Sequence, residues 1–207
     1  MAGIGYSDAR RAAFDAAAAA LTQGQGPVQA TRAAIAATDT FFAMVSTALN
    51  LEAQLAAMAC AAGCSWCCHQ IVGITDAELA LVAEAIAAKP AKARKAIFAR
   101  AKAAMARGKG MDQRQWWAAR IRCPLLEDDG LCGIHEARPL PCRAHNSADA
   151  DACRRSFLGE PVRTPVLAAQ QGIWANAQAG LAEALLQAGY QPRPLALAEA
   201  VLGLAKG

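Results

Sequence analysis

The sequence has few aromatic residues and no long apolar run. Aromatic side chains make up 5% of its 207 residues and charged side chains 18%, whereas apolar residues, many of them alanine, make up 55%. The longest apolar candidate, AAAAAL at 16–21, is far shorter than the roughly 20 residues that cross a bilayer, so no membrane span is predicted. Alanine-rich stretches favour helix. A mainly helical protein with its own hydrophobic core is expected.

No export signal is recognisable at the N-terminus. Residues 1–20 carry Asp8 and Asp15 and lack the apolar region of a signal peptide, which favours a structural helix, with an organellar targeting helix as the alternative. The expected location is the cytoplasm. Thiols stay reduced there, and clustered cysteines bind metals or catalyse reactions more often than they form disulfides.

The net charge of +4 is concentrated in one stretch. Residues 89–109 contain eight basic residues and no acid, which is compatible with a surface for nucleic acid or an acidic partner. The one aromatic residue of the stretch, Phe98, falls on its apolar side and is not placed among the charges for base stacking, so nucleic-acid binding is not expected. The favoured interpretation is the solvated face of an amphipathic helix, whose buried side holds Ile97, Phe98, Ala101, Ala104 and Met105.

Three domains or segments are predicted. Residues 1–58 form an N-terminal helical extension, with Ser7 as a cap. Residues 59–158 form a cysteine-rich domain with a helical insert, which begins at the capping box of Thr75 and Glu78 and is interrupted at Pro90. Residues 159–207 form a C-terminal helical packing segment, whose first helix is predicted to begin at Thr164-Pro165 and whose last covers about 194–205.

The chain contains eight cysteines, all of them in the central domain. Four lie between residues 60 and 68, and the others are separated by eight to ten intervening residues: Cys60, Cys64, Cys67, Cys68, Cys123, Cys132, Cys142 and Cys153. Thiolates suit zinc and iron–sulfur clusters, and each ordinary site uses about four. Eight cysteines therefore fit two sites or one polynuclear site. A disulfide framework is the alternative, but neighbouring cysteines bond poorly to each other.

The adjacent pair Cys67 and Cys68 restricts the geometry further. In an extended segment the two side chains point to opposite faces and would serve two centres. In an α-helix, Cys60 and Cys67 would be about 10 Å apart along the axis, too far to share one ion. Gly63 offers a place for the chain to bend.

The runs CAAGCSWCC, ITDAELALVAEAI, CPLLEDDGLCGIHEARPLPCR and DACRR resemble the CxxCxxCC (YkgJ-like) cysteine-cluster family over about residues 60–155. The resemblance implies a zinc- or iron-chelating domain, with an iron–sulfur or zinc centre, and some relatives are linked to flagellin lysine methylation. It makes all eight cysteines candidate ligands. The first spacing, three residues between Cys60 and Cys64, is longer than the family's usual two. The segment Cys60-x3-Cys64-x2-Cys67 also resembles the radical SAM motif, but the chain lacks that class's alternating strands and helices.

Other side chains near the cysteines are candidates for contacts with the cofactor. His69 adjoins the cysteine pair and is the first choice among the three histidines for a group that tunes the centre. Arg143, beside Cys142, is the favoured arginine for offsetting thiolate charge. Trp66, Trp116 and Trp117 either shield the centre from water or pack in the core.

The sequence thus predicts a mainly α fold with a loop-rich, cysteine-coordinated metal core and room for one short β-hairpin, signalled by Asp129-Gly130 within residues 123–136. The expected cofactor is an iron–sulfur cluster in preference to Zn²⁺. Its role is redox or linked to methylation, and a zinc-chelating structural module without catalysis is the alternative. The expected partner is an unidentified protein or redox partner, with no membrane involved. A weaker option is partner binding through the basic stretch.

Overall fold

A computed structural model describes residues 5–206, and the mainly α fold is confirmed. The helices are α1 (Tyr6–Thr22), α2 (Pro27–Ala48), α3 (Glu52–Ala56), α4 (Asp76–Ala87), α5 (Ala91–Arg107), α6 (Gln113–Ala118), α7 (Leu140–Ala144), α8 (Ala150–Phe157), α9 (Ala168–Gln187) and α10 (Leu197–Gly203). Short 3₁₀ helices cover Trp66–His69, His135–Ala137 and Leu204–Lys206. The strands are β1 (Gly73–Thr75) and β2 (Pro194–Ala196). None of the helices within residues 5–206 has the length and apolar character needed to span a membrane.

Helices α1, α2 and α9 pack into a bundle with small residues at the interfaces. Its core is rich in buried alanines, among them Ala13, Ala17 and Ala177, with Leu181 and Leu185 from α9. Small side chains let helix backbones approach closely. At Gly180 a Cβ atom would lie only 2.1 Å from the backbone carbonyl oxygen of Arg10, so only glycine fits there.

A second core lies under the cysteine-rich loops. Helices α4, α5 and α10 supply its aliphatic side chains, and the loop at 121–134 adds Leu125 and Ile134. Cys123 and Cys132 pack against this core. The basic helix α5 buries Ile97, Ala101 and Ala104, while Phe98 and Met105 are partly buried, so the predicted apolar face is confirmed.

Strands β1 and β2 pair antiparallel, with Gly73 opposite Ala196 and Thr75 opposite Pro194. This small sheet joins the cysteine-rich region to the C-terminal segment. The predicted hairpin at 123–136 is only partly formed. The chain turns at Gly130, whose φ is 82°, and one isolated bridge, Leu126 to Cys132, closes the turn.

Two helix boundaries were predicted correctly. Thr75 caps α4: its side-chain oxygen accepts from the N–H of Glu78, and its own N–H donates to the Glu78 carboxylate. Pro90 separates α4 from α5 and caps the latter. Both signals are local, because each depends on residues at most a few positions apart.

Two other predicted helix starts are wrong. Gly5, not Ser7, is the cap of α1, and its N–H donates to the carboxylate of Asp8 at 2.8 Å. Helix α9 begins at Ala168, not at Thr164-Pro165. The preceding segment is held extended, because the carbonyl of Pro165 accepts from Ala148 N–H and the N–H of Leu167 donates to the Asn146 side chain.

Candidate metal centre

All eight cysteines are free thiols, brought together from three segments of the chain. Residues 60–68 provide four, residues 123–142 provide three, and α8 provides Cys153. Cys60 is exposed and the others are half-buried as whole residues. No cysteine is committed to a disulfide, so every sulfur is available to a metal.

The segment around the adjacent pair is neither extended nor α-helical. Gly63, with a φ of 87°, turns the chain as the sequence suggested, and the short 3₁₀ helix from Trp66 to His69 follows. Consecutive side chains in a 3₁₀ helix are about 120° apart, and the thiols of Cys67 and Cys68 still lie within hydrogen-bond reach of each other. The carbonyl of Cys68 accepts from the N–H of Cys123 at 2.8 Å, which joins the two cysteine-rich segments directly.

Three cysteines form what we call the open group: Cys60, Cys64 and Cys153. They line a cavity of about 470 Å³ together with Cys67 and His145. The backbone N–H of Ser147 donates to the Cys60 sulfur at 3.2 Å. Burial raises the pKa of both Cys60 and Cys64, and the charges of Cys67 and Cys153 add to the effect.

Three further cysteines form what we call the buried group: Cys123, Cys132 and Cys142. Burial raises the pKa of Cys123 to about 11 and raises that of Cys142 well above the ordinary thiol value. The pKa of Cys132 is raised for the same reason. Nearby thiols interact electrostatically within this group, because Cys142 is affected by both Cys123 and Cys132.

The adjacent pair lies between the two groups. A hydrogen bond between the thiols of Cys67 and Cys68, with burial second, raises the pKa of Cys67. The Cys67 thiol affects Cys60 and Cys64 on one side and Cys142 on the other. The pair is therefore placed to contribute to either centre.

The donor set suits zinc or iron, although the thiols are not arranged for coordination as they stand. Within the described residues, no group of three or more cysteine, histidine, aspartate or glutamate side chains could hold a metal ion without rearrangement. Each thiol can move between staggered χ1 positions at small cost. A bound ion would also deprotonate the thiols, whose protons are released on binding.

The three histidines occupy different environments. His69, the first choice from the sequence, directs Nδ1 at the carbonyls of Ser65 and Trp66, and its ring packs on Phe157. His135 is exposed beside Glu136. His145 lines the cavity of the open group, and burial lowers its pKa, which favours the neutral imidazole that binds metals. The sequence analysis preferred His69 to His145, whose position three residues after Cys142 is its only local signal.

Arg143 holds the backbone around the buried group. Its guanidinium donates to the carbonyls of Arg138 and Glu136 and lies over the ring of Trp174 in α9. Arg143 also interacts electrostatically with Cys142. Arg138 acts on more of the thiols, because its charge favours the thiolate forms of Cys67, Cys132 and Cys142. Sequence adjacency to Cys142 pointed to Arg143, and the fold brings Arg138 to the cysteines as well.

Aromatic side chains separate part of the cysteine region from solvent. Phe157 is contacted by the rings of Trp66, His69 and Trp117, with centroid distances of 4.6 to 5.6 Å. Trp66 and Trp117 also line the cavity of the open group. Trp116 instead packs in the core beside Ile121. Trp66 and Trp117 are thus placed to shield a centre.

Eight free thiols clustered on a helical scaffold are typical of a protein that binds metal through thiolates. Residues 59–163 match the CxxCxxCC family, described as "Putative zinc- or iron-chelating domain". The match covers half of the chain, and the protein belongs to this family. Comparison with curated proteins and with solved structures gives no match. Metal binding is supported by the family, and its description leaves both zinc and iron open.

Proposed function

We propose that the protein chelates iron in an iron–sulfur centre that has a redox or methylation-linked role. The observation that carries the proposal is the buried group, where Cys123, Cys132 and Cys142 gather beside the Cys67 and Cys68 pair. Three thiols from one group and a fourth from the pair complete the cysteine set of a cubane cluster. All eight cysteines are proposed as ligands across the whole region.

The residues around the buried group would tune such a centre. An iron–sulfur cluster supplies one-electron transfer at a potential set by net charge, hydrogen bonds to sulfur and solvent exposure. Arg138 brings a positive charge to the thiolates, and the second core covers Cys123 and Cys132 from one side. His69 and Arg143 stay predicted contacts of the cofactor, and their roles here are to pack against Phe157 and to hold the loop, respectively.

A zinc-chelating structural module is the second candidate. It is favoured by the scarcity of regular structure in residues 119–139, where one bridge and one short 3₁₀ helix are the regular features. A closed four-thiolate zinc site contributes folding energy to such loops. In that case the metal would hold the segments together and carry out no electron transfer.

Metal and acid-labile sulfide per chain separate the two candidates. They should be measured on protein purified without oxygen and without added metal, together with an absorption spectrum. Iron with matching sulfide and a broad visible band is the expected result. Zinc without sulfide would support the structural module, and neither metal with eight titratable thiols would overturn both candidates.

A matched set of variants tests the ligands of the buried group. Cys123→Ser and Cys142→Ser should each lose the iron and sulfide of the centre. Ser147→Ala, which removes a hydroxyl that bonds only the backbone of Asp149, should keep both. Full iron and sulfide retention in the two cysteine variants would contradict this placement of the centre.

A further inference from the structure

We propose that helix α5 carries a docking surface for an acidic one-electron carrier protein, next to the buried group. The surface, which we call the basic face, consists of the exposed cations of α5 and of the turn that follows it: Lys92, Lys95, Lys102, Arg107 and Lys109. This inference rests on the redox form of the proposed function. It adds the position and the chemical class of the redox partner.

The cations of the basic face are not used by the fold. Of the eight basic residues in the stretch, the other three bond to neighbouring groups. Lys89 pairs with Glu127 at 3.2 Å, and Arg94 and Arg100 donate to backbone carbonyls. The members of the basic face are exposed and take part in no ion pair within residues 5–206. Their charge is therefore available to a partner in solution.

The basic face departs from the charge pattern that stabilises a helix. Acidic residues are favourable at the positive end of the helix dipole, but the first turn of α5 contains no acid and has Lys92 as its second residue. Lys92 and Lys95, three positions apart, repel each other, and no acid in the helix offsets them. Departures from local rules without an internal compensation are expected at functional sites. The pattern favours a role in binding over a role in stability.

The basic face lies on the side of α5 that is opposite to the core. Because an α-helix turns by about 100° per residue, the four cations of the helix fall within an arc of about 140°. Ile97 and Ala101, on the other side, are buried in the second core. The exposed positions between the cations are alanines: Ala96, Ala99, Ala103 and Ala106. The face thus offers charge without a large apolar side chain that would insert into a lipid bilayer.

The inner side of α5 contacts the segment that carries the buried group. Cys123 and Cys132 pack against the second core, to which α5 contributes its apolar side chains. Arg100 Nε donates to the carbonyl of Pro124, next to Cys123, at 2.8 Å. A carrier on the basic face would therefore be separated from the buried group by the thickness of one helix, about 10 Å.

An acidic protein fits this surface better than a nucleic acid does. Phe98, the aromatic residue of α5, packs against the second core, so the basic face presents no ring for base stacking. The 17 residues of α5 span about 25 Å, which suits the small, charge-guided interfaces of transient electron-transfer complexes. One electron would pass between the carrier and the centre, so that one is oxidised as the other is reduced and no bond forms or breaks.

Binding of flavodoxin, used as an acidic one-electron carrier, tests the docking surface. Titration calorimetry should detect a complex at about 20 mM salt that weakens when the salt is raised to about 200 mM. The triple variant Lys92→Gln, Lys95→Gln and Lys102→Gln should bind flavodoxin at least about tenfold more weakly. Circular dichroism at helical wavelengths checks that the variant folds.

The charge-matched control removes three exposed arginines from the bundle helices α1 and α2: Arg10→Gln, Arg11→Gln and Arg32→Gln. Its affinity for flavodoxin should stay within about twofold of the wild type. Equal weakening in both triple variants, or no salt-dependent complex with the wild type, would overturn the docking surface. A short DNA duplex or phosphatidylserine vesicles that bind through these lysines, when flavodoxin does not, would overturn the class of partner.

Small charged oxidants test whether the basic face lies next to the centre. Stopped-flow absorption should show that ferricyanide, an anion, oxidises the reduced centre more slowly in the lysine variant than in the wild type. Hexaammineruthenium(III), a cation, should oxidise it faster. Unchanged rates with both oxidants would overturn the proximity. Iron and sulfide in the same preparations test the proposed function separately, and a chain without iron that binds flavodoxin through these lysines would keep the surface and overturn its redox role.

Discussion

The helical bundle and the cysteine-rich region reach stability by different routes. The bundle of α1, α2 and α9 buries alanine and leucine side chains against closely approaching backbones, and its long helices satisfy their own hydrogen bonds. The cysteine-rich region has short helices and loops, and its thiols are buried at a cost that appears as raised pKa values. Apolar burial suffices for the first region, whereas the second is expected to need its metal.

One buried carboxylate connects the two regions. Glu78, at the start of α4, accepts hydrogen bonds from the N–H of Leu140 in α7 at 2.9 Å and from the side chain of Gln178 in α9 at 2.8 Å. It also closes the capping box with Thr75. Through Glu78, the helix that carries Cys142 is fixed to the bundle.

Removing the metal should produce the largest difference in stability between the bundle and the cysteine-rich region. Structural zinc in small domains contributes on the order of 10 kcal/mol, so chelation under reducing conditions should loosen residues 59–70 and 121–134. Hydrogen exchange followed by mass spectrometry should show at least about tenfold faster exchange in those loops and little change in α1, α2 and α9. Adding the metal back is the control. Equal acceleration in the bundle would show that the regions unfold as one.

Gly180→Ala should damage the bundle and spare the metal centre. The new Cβ would overlap the carbonyl oxygen of Arg10, so α1 and α9 must move apart, at a cost of about 3 kcal/mol. Denaturant unfolding measures the loss, and metal content per chain should stay unchanged in the folded variant. Gly203→Ala is the control, because its Cβ would meet nothing within 4 Å. An unaltered denaturant midpoint for Gly180→Ala would refute the close contact between Gly180 and Arg10.

Glu78→Gln should weaken the connection between the regions by about 2 kcal/mol, because an amide offers one accepting oxygen where the carboxylate offers two. The variant should also change the pH dependence of stability. Burial raises the pKa of Glu78 above its ordinary 4.5, so the folded chain holds the proton at pH values where the unfolded chain has lost it. Stability therefore falls as the pH rises through the window above 4.5.

Unfolding curves at several pH values above 4.5 measure this effect. The slope of the unfolding free energy against pH should be shallower in Glu78→Gln than in the wild type, because glutamine does not titrate. Asp8→Asn, which alters an exposed carboxylate at the start of α1, is the control for general charge effects. Identical slopes in wild type and Glu78→Gln would rule out Glu78 as the source of the pH dependence.

Phe157→Leu should have a smaller effect, limited to the aromatic side of the cysteine-rich region. It removes the ring contacted by Trp66, His69 and Trp117, and each aromatic pair contributes about 1 kcal/mol. Tryptophan fluorescence should shift to longer wavelength as water reaches Trp66 and Trp117. Leu158→Ala, an exposed neighbour, should leave the spectrum unchanged. A shift of equal size in both variants would speak against the cluster.

Neutralising the basic helix should have the smallest effect. Lys92, Lys95 and Lys102 are exposed on α5, and their replacement by glutamine should change stability by less than about 0.5 kcal/mol. Metal content should also be unchanged, as measured by elemental analysis. Loss of metal in the triple variant would show that this face supports the cysteine-rich region.

Local patterns predicted the helical scaffold well, because helix signals extend over only a few residues. The capping box at Thr75, the break at Pro90 and the apolar face of α5 were all found this way. The start of α9 was missed because Asn146 and Ala148, about twenty residues earlier, hold residues 165–167 extended. A contact between distant segments leaves no periodic trace in the sequence.

The cysteines themselves were found from the sequence, but their grouping was not. Spacing along the chain placed Cys60, Cys64, Cys67 and Cys68 together, whereas the fold adds Cys153 and His145 to the cavity that the first three of them line. Adjacency to a cysteine was also the criterion that selected Arg143 and His69, and it could not indicate that Arg138 acts on Cys142 or that His145 lines the cavity. The roles of Arg143 and His69 at a cofactor stay predictions. The three-part domain division stays a prediction.

The pairing of β1 with β2 bears on the order of events during synthesis. Leu197 and Val201, directly after β2, complete the core that also contains Ile74 and Leu125 from the cysteine-rich region. A ribosome that has just made Cys153 has all the thiols but not these apolar side chains. Stable metal incorporation at the buried group is therefore expected after translation has passed residue 201, and until then the second core leaves these thiols uncovered.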